Sequence, residues 1–332
     1  MARIDRSRRR FLGLTAAVAG LALLPAAAAA RAGLLHGWRG TALGADACLR
    51  LVHPDAAEAR RLIGLCLAEV ARLERVFSLY RGDSALVRLN RDGRLDDAPA
   101  DLVRLMSEAA AFGRASGGRF DMTVQPLWSL HARHFARAGA DPAGPAPAEI
   151  AAARRLVGFQ AVEIGAGRIA FARPGMQVTL NGIAQGYITD RITELLRQEG
   201  LDDVLVDMGE IRAQGRRPDG RPWQVGLDGA AGIGPLALSG GAVATSAAAG
   251  TVFDPAGRFG HLIDPASGRP EAPWRSVSVA APTATAADAL STALSVLPPG
   301  EAAGLLARHP GSTAFLTAAD GGTTVMGTRV PG

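Results

Sequence analysis

Asp288-Ala289-Leu290-Ser291-Thr292 puts a carboxylate and a hydroxyl four residues apart. On a helix that spacing places both oxygens on one face. Joined by a backbone carbonyl from elsewhere in the chain, they make a hard oxygen set of the kind that suits Mg²⁺. The same residues also fit a plain helix start, with Thr285 as the N-cap and Asp288 as a favourable first-turn acid. A second polar cluster is His261-Leu262-Ile263-Asp264-Pro265-Ala266-Ser267-Gly268. Its apolar pair suggests that His261 and Asp264 emerge at a strand end, where a histidine can give or take a proton near neutral pH. A surface turn built on Asp-Pro and Gly explains it equally. The other histidines, His36, His53, His131, His134 and His309, have no metal or triad spacing.

The segment that must position such groups is Thr179-Leu180-Asn181-Gly182-Ile183-Ala184-Gln185-Gly186-Tyr187. Met176 to Leu180 before it reads as a short strand. Ile188, Ile192, Leu195 and Leu196 after it recur at helical spacing up to Gly200, a fitting stop. Its glycines permit close backbone approach, and a helix N-terminus offers free N–H groups to an anion. A tight strand-to-helix packing turn is the simpler alternative. No nucleophile elbow, Walker loop or dinucleotide fingerprint is present in the sequence.

Around this centre, Ala47 to Val52 reads as a first strand, Asp55 to Phe77 as a helix and Ala100 to Ala115 as another. Ala138 to Ala148 reads as a loop too short for a domain linker. Short strands follow at Val204–Met208, Ile211–Gln214, Trp223–Leu227, Leu236–Leu238 and Ala242–Thr245, separated by turns such as Pro218-Asp219-Gly220. A last long helix covers roughly Ala286 to Leu297. A short helix and two strands close the chain. Strands and helices do not alternate strictly, which points to an α+β domain of mainly antiparallel sheet and packed helices over residues 31–332.

At 332 residues, 48% apolar and 20% charged, the chain has ample material for a core. All 36 basic residues are arginine. Residues 1–30 hold five Arg and one Asp, so without them the formal charge falls from +5 to +1, which argues against a nucleic-acid partner. Those residues read as an address: Ser7-Arg8-Arg9-Arg10-Phe11-Leu12 fits the twin-arginine export pattern, an apolar run extends from Leu14 to Ala30, and Ala28-Ala29-Ala30 suits cleavage. The run is short for a span, Ala-rich and broken by Pro25, so an uncleaved anchor is the lesser reading. The expected location is the periplasm. Cys48 and Cys66 are the two cysteines. Cys66 falls within a helical apolar set, and two buried thiols are expected rather than a metal pair.

In order along the chain, Phe77-Ser78-Leu79-Tyr80, Gly118-Arg119-Phe120-Asp121-Met122-Thr123-Val124, the nine-residue turn, Val206-Asp207-Met208-Gly209, Ala244-Thr245-Ser246, His261-Leu262-Ile263-Asp264-Pro265 and Ala287-Asp288-Ala289-Leu290-Ser291-Thr292 resemble the ApbE-type FAD:protein FMN transferases. Within that family the turn and the single glycine of Asp-Met-Gly-Glu-Ile look most like the NosX branch. The resemblance implies that FMN passes from FAD to a threonine hydroxyl of an acceptor protein, with release of AMP. The acceptor it implies is a NosR-like membrane protein of the nitrous-oxide reductase system, and the exporter is the twin-arginine translocase. It assigns Mg²⁺ to Asp288, Thr292 and the carbonyl of Gly182. FAD falls to Leu43, Tyr80, Arg119, Phe120, Asp121, Thr179, Gln185 and Ile263. His261 is the candidate for proton handling near the acceptor, and Asp288 is the other residue assigned to catalysis. The chain departs from many members at Leu43, Thr179, Gln185, Glu210 and Ala247, where Met, Asp, Lys or Glu, Gly and Gly are usual. A non-catalytic flavin carrier is the competing expectation, and the intact Asp288–Thr292 pair favours the enzyme.

Overall fold

A computed structural model describes residues 33–227, 229–230 and 232–328. The export segment, with Arg8, Arg9 and the cleavage site near Ala30, lies outside the described residues. Among those described, no helix is long and apolar enough to cross a membrane.

The centre of the fold is one antiparallel sheet of eight strands. Its first pair is β1 (Leu34–Ala42) and β2 (Ala45–His53). Leu43 and Gly44 join them with φ of 47° and 77°, the left-handed pair that lets a two-residue hairpin match strand twist. A leucine there is uncommon, and its N–H is held by Glu74 Oε1 at 2.8 Å. Sequence reading missed β1 because an edge strand has no clean alternation: Leu34 and Leu35 are exposed.

A three-stranded sheet, β3 (Arg94–Asp96), β5 (Arg168–Phe171) and β4 (Val162–Ile164), lies apart. The main sheet continues from β2 through β6 (Val204–Asp207) and β7 (Ile211–Gln214). The hairpin of β8 (Trp223–Val225) and β9 (Leu236–Leu238) leaves the sheet. β10 (Ala242–Ala247), β11 (Ser276–Ala281), β12 (Thr313–Thr317) and β13 (Thr323–Gly327) complete it. Every strand pair is antiparallel, as the α+β expectation required.

The β8–β9 hairpin buries Trp223, Val225 and Leu238 with Leu205, Val243 and Phe315 in a small core. The main core lies with the helices. They are α1 (Ala56–Phe77), α2 (Ala85–Asp92), α3 (Ala100–Ala115), α4 (Gln125–Phe135), α5 (Pro147–Arg154), α6 (Ala184–Gln198), α7 (Ala284–Val296) and α8 (Ala302–Ala307). α1 starts where the sequence places it, capped by the Asp55 side chain on Ala57 and Glu58 N–H. α2 is a helix capped by Ser84 and ended by left-handed Gly93.

Three expectations need correction. Met176–Leu180 is extended but pairs with no strand. The Asn90 side chain takes both the N–H (2.7 Å) and the carbonyl (2.8 Å) of Val178, and Thr179 N–H bonds to the Met122 carbonyl at 2.7 Å. The N-cap of α7 is Thr283, whose side chain accepts from Ala286 N–H, so Asp288 lies beyond the first turn. A helix-start role therefore does not account for Asp288. Leu262 and Ile263 also form no strand, only an isolated bridge from Ile263 to Pro270.

Candidate functional site

The turn before α6 and the middle of α7 meet face to face. Gly182 tolerates the contact because a Cβ there would sit 2.8 Å from Thr292 Oγ1. Thr292 Oγ1 donates to the Gly182 carbonyl at 3.4 Å, and Gly186 N–H donates to Asp288 Oδ2 at 3.0 Å. Ser246, at the end of β10, lies with its Oγ 2.9 Å from Ser291 Oγ and 3.5 Å from Thr292 Oγ1. Ser291 Oγ in turn donates to the Asp288 carbonyl at 3.0 Å. Thr292 thus meets the Gly182 carbonyl, and Asp288, one turn earlier on the same face of α7, meets Gly186. Ser246, in the Ala244-Thr245-Ser246 motif, joins Thr292 there, a contact the sequence does not assign.

Asp288 is 3% exposed. Burial first, and then the neighbouring Asp190 carboxylate, push its acid up to about 7 against the pull of the Gly186 N–H. No cationic side chain pairs with it among the described residues. A buried carboxylate without a counter-charge, beside a hydroxyl and a carbonyl, is the donor chemistry of a hard divalent cation. The fit relies on neutral oxygens, since no cluster of three His, Cys, Asp or Glu side chains exists among the described residues.

A cleft of about 520 Å³, lined among others by Tyr80, Asn90, Arg91, Gln125, Trp128 and Asn181, reaches the turn before α6 at Asn181. Tyr80 is 74% exposed at its edge, and Asn181 adjoins Gly182. Thr179, through Met122, ties the turn to the Arg119–Thr123 segment. Arg119 Nη1 donates to buried Asp264 at 2.7 Å, joining that segment to the His261 loop.

Other expected residues have different surroundings. Phe120 is buried in the main core against Phe112. Asp121 accepts from Thr123 N–H, Thr123 Oγ1 and Phe159 N–H, and burial raises its acid despite those bonds. Gln185 packs on Gly209, where a Cβ would meet its Nε2. Ile263 is buried with Leu127 and Ile150. Leu43 stands at the β1–β2 tip and is tied to α1.

His261 Nδ1 lies 3.1 Å from the Thr251 carbonyl, which also accepts the His261 N–H. A carbonyl only accepts, so Nδ1 carries the hydrogen and Nε2 of the neutral ring carries the lone pair. A Cβ on Gly250 would lie 3.3 Å from the His261 ring. The His261 ring therefore lies against Gly250, in the loop that follows β10.

An antiparallel α+β domain with oxygen donors beside a cleft defines the class, and the comparisons give the family. The ApbE family model matches residues 44–316. The chain belongs to the ApbE family. It is 33% identical over 285 residues to a FAD:protein FMN transferase of Treponema pallidum, covering 78% of each chain. It is 31% identical to that of Haemophilus influenzae over 236 residues, covering 66% of this chain and 68% of the relative. Its structure is similar to the apo form of Pseudomonas stutzeri flavinyl transferase ApbE, with 30% identity and a TM-score of 0.75 over 89% of this chain and 96% of that one.

Proposed function

We propose that this protein transfers FMN from FAD to a threonine hydroxyl of an acceptor protein. One observation carries the reading: on one face of α7 the Thr292 hydroxyl meets the Gly182 carbonyl and the buried Asp288 carboxylate meets Gly186 N–H, and Asn181, next to Gly182, lines an open cleft. The relatives in Haemophilus influenzae and Treponema pallidum, both FAD:protein FMN transferases, agree with transfer of FMN from FAD to a protein.

In the reaction the threonine oxygen bonds to the FMN-side phosphorus of FAD. The bond from that phosphorus to the bridging oxygen breaks, and AMP leaves with that oxygen. The threonine proton goes to His261 Nε2, the basic nitrogen of a ring whose Nδ1–H is held by the Thr251 carbonyl. Asp288, Thr292 and the Gly182 carbonyl would hold Mg²⁺, which would neutralise charge on the pyrophosphate as AMP departs. Tyr80 and Trp128 offer aromatic surface to the flavin ring at the cleft. Arg119, held by Asp264, keeps the adjoining loops in place.

We also propose the finer setting. Residues 1–30 send the protein through the twin-arginine translocase to the periplasm, where it acts as a NosX-like enzyme on a NosR-like membrane protein. Support comes from the arginine pair with its apolar run, and from the wording of the turn.

The test is mass spectrometry of the periplasmic part of a NosR-like acceptor incubated with this protein and FAD, with and without Mg²⁺. The expected product carries one FMN less one water on a threonine, and only with Mg²⁺ present. FAD binding with no acceptor modification would instead identify a carrier.

A further inference from the structure

One buried carboxylate next to the site has no role in the chemistry above. Asp190 is four residues past Gly186 on α6 and therefore on the same face. α6 and α7 run antiparallel in a fixed register: Gly182 meets Thr292, Gly186 meets Asp288, and Asp190 meets Ala284. Each step is four residues on both sides.

Asp190 Oδ1 accepts from Ala284 N–H at 2.9 Å. Its Oδ2 accepts from Thr285 N–H at 2.8 Å and from the Thr285 hydroxyl at 2.6 Å. Arg212 of β7 donates to Oδ1 at 2.5 Å, which anchors the carboxylate to the sheet. The first turn of a helix leaves N–H groups without partners. In α7 two of them are answered by a carboxylate from another helix, which its dipole favours. The helices also touch at backbone distance here, because a Cβ on Gly186 would lie 2.2 Å from the Ala284 carbonyl oxygen. A helix is stiff along its length. Holding its first turn therefore sets where its second and third turns lie, and those carry Asp288 and Thr292.

We propose that Asp190 is a positioning residue for the metal set: by clamping the start of α7 to α6 and β7, it holds Asp288 and Thr292 opposite the Gly182 carbonyl. This rests on the reading of those three as the Mg²⁺ donors. A residue that merely stabilised the fold would lower the melting temperature and leave the metal requirement unchanged.

The experiment compares wild type, Asp190→Ala and Leu205→Ala, whose side chain lies in the small core away from α7. Two readouts need no turnover: hydrogen exchange of peptides spanning residues 283–292 in the metal-free protein, and Mn²⁺ binding followed by the loss of the free-ion electron paramagnetic signal. In Asp190→Ala, exchange protection over 283–292 should fall while that of α1 is kept. Mn²⁺ affinity should drop about 10-fold or more, the range for outer partners of metal ligands. Excess Mg²⁺ should restore much of the FMN transfer. Leu205→Ala should lose melting temperature with Mn²⁺ affinity unchanged.

Wild-type Mn²⁺ affinity in Asp190→Ala, or an equal loss in Leu205→Ala, overturns the proposal. If wild type binds no Mn²⁺, the metal reading itself falls and takes the metal role of Asp190 with it. Exchange would still report whether the clamp exists. Should Asp190→Ala not fold, Asp190→Asn takes its place. It keeps the acceptor for Ala284 but sets an amide against Thr285, and the same shift in Mn²⁺ affinity decides.

Discussion

Gly186 N–H donates to Asp288 Oδ2 across 3.0 Å, two residues separated by 102 positions in the chain. This contact joins the first turn of α6 to the middle of α7. Among the described residues it supplies the sole hydrogen bond that offsets the burial of that carboxylate.

Asp288→Asn should fold and lose transfer. Removing a preorganised charged group of this kind costs about 10²–10³ in rate. Thr292→Val, which deletes a neutral oxygen and keeps the shape, should lose less. Stability supplies a second check. The acid is raised from 3.8 to about 7 in the folded state, so the native protein keeps a proton that the unfolded chain has released. In metal-free wild type this group therefore lowers stability as pH rises from about 4 to about 7. Asp288→Asn lacks that contribution, and its melting temperature relative to wild type should be higher at pH 8 than at pH 4. A full transfer rate in the folded variant would reject the metal-site reading.

Gly186→Ala should be more damaging than an ordinary helix Gly→Ala change, which favours helix formation. The new Cβ would fall 2.2 Å from the Ala284 carbonyl oxygen, which is rigid backbone. Forcing α6 and α7 apart should cost about 1–3 kcal/mol by overpacking and break the contact with Asp288. Chemical denaturation measures the first effect and FMN transfer the second. A variant more stable than wild type would contradict the close approach.

His131 gives the domain an acid-sensitive joint. It is fully buried, its Nε2 lies 3.0 Å from the Gly268 carbonyl, and its Nδ1 has no partner among the described residues. Burial lowers its pKa from 6.5, with His134 and Arg269 acting in the same direction and the Gly268 bond opposing them. Below about pH 6.5 the unfolded chain takes a proton that the native ring refuses, so stability falls as pH falls. His131→Gln keeps a donor for Gly268 and cannot titrate. Its melting temperature should change less between pH 7 and pH 5 than that of wild type. Equal slopes would exclude His131 as the source.

Export is tested through Arg8 and Arg9. Replacing both with Lys should leave the protein in the cytoplasm, because the pair is a receptor-read address rather than a membrane anchor. Cell fractionation reads the outcome, and normal periplasmic accumulation would refute the twin-arginine reading.

The sequence by itself determined the local elements whose signals are local. Asp55 and the apolar spacing through Phe77 specify α1, and the short strands from Val204 onward are punctuated by their own turns. The ordered motifs identified the family, and the four-residue spacing put Asp288 and Thr292 on one helix face. Tertiary structure decided what those groups meet. That Gly182 lies against Thr292, that Met176–Leu180 pairs with the Asn90 side chain instead of a strand, and that Asp121 turns inward to Phe159 are contacts between distant segments, and they leave no periodicity to read. The same holds for Asp190. From sequence it is one more polar residue on a helix, and only the antiparallel packing of α6 on α7 brings its carboxylate to the unpaired N–H groups of Ala284 and Thr285.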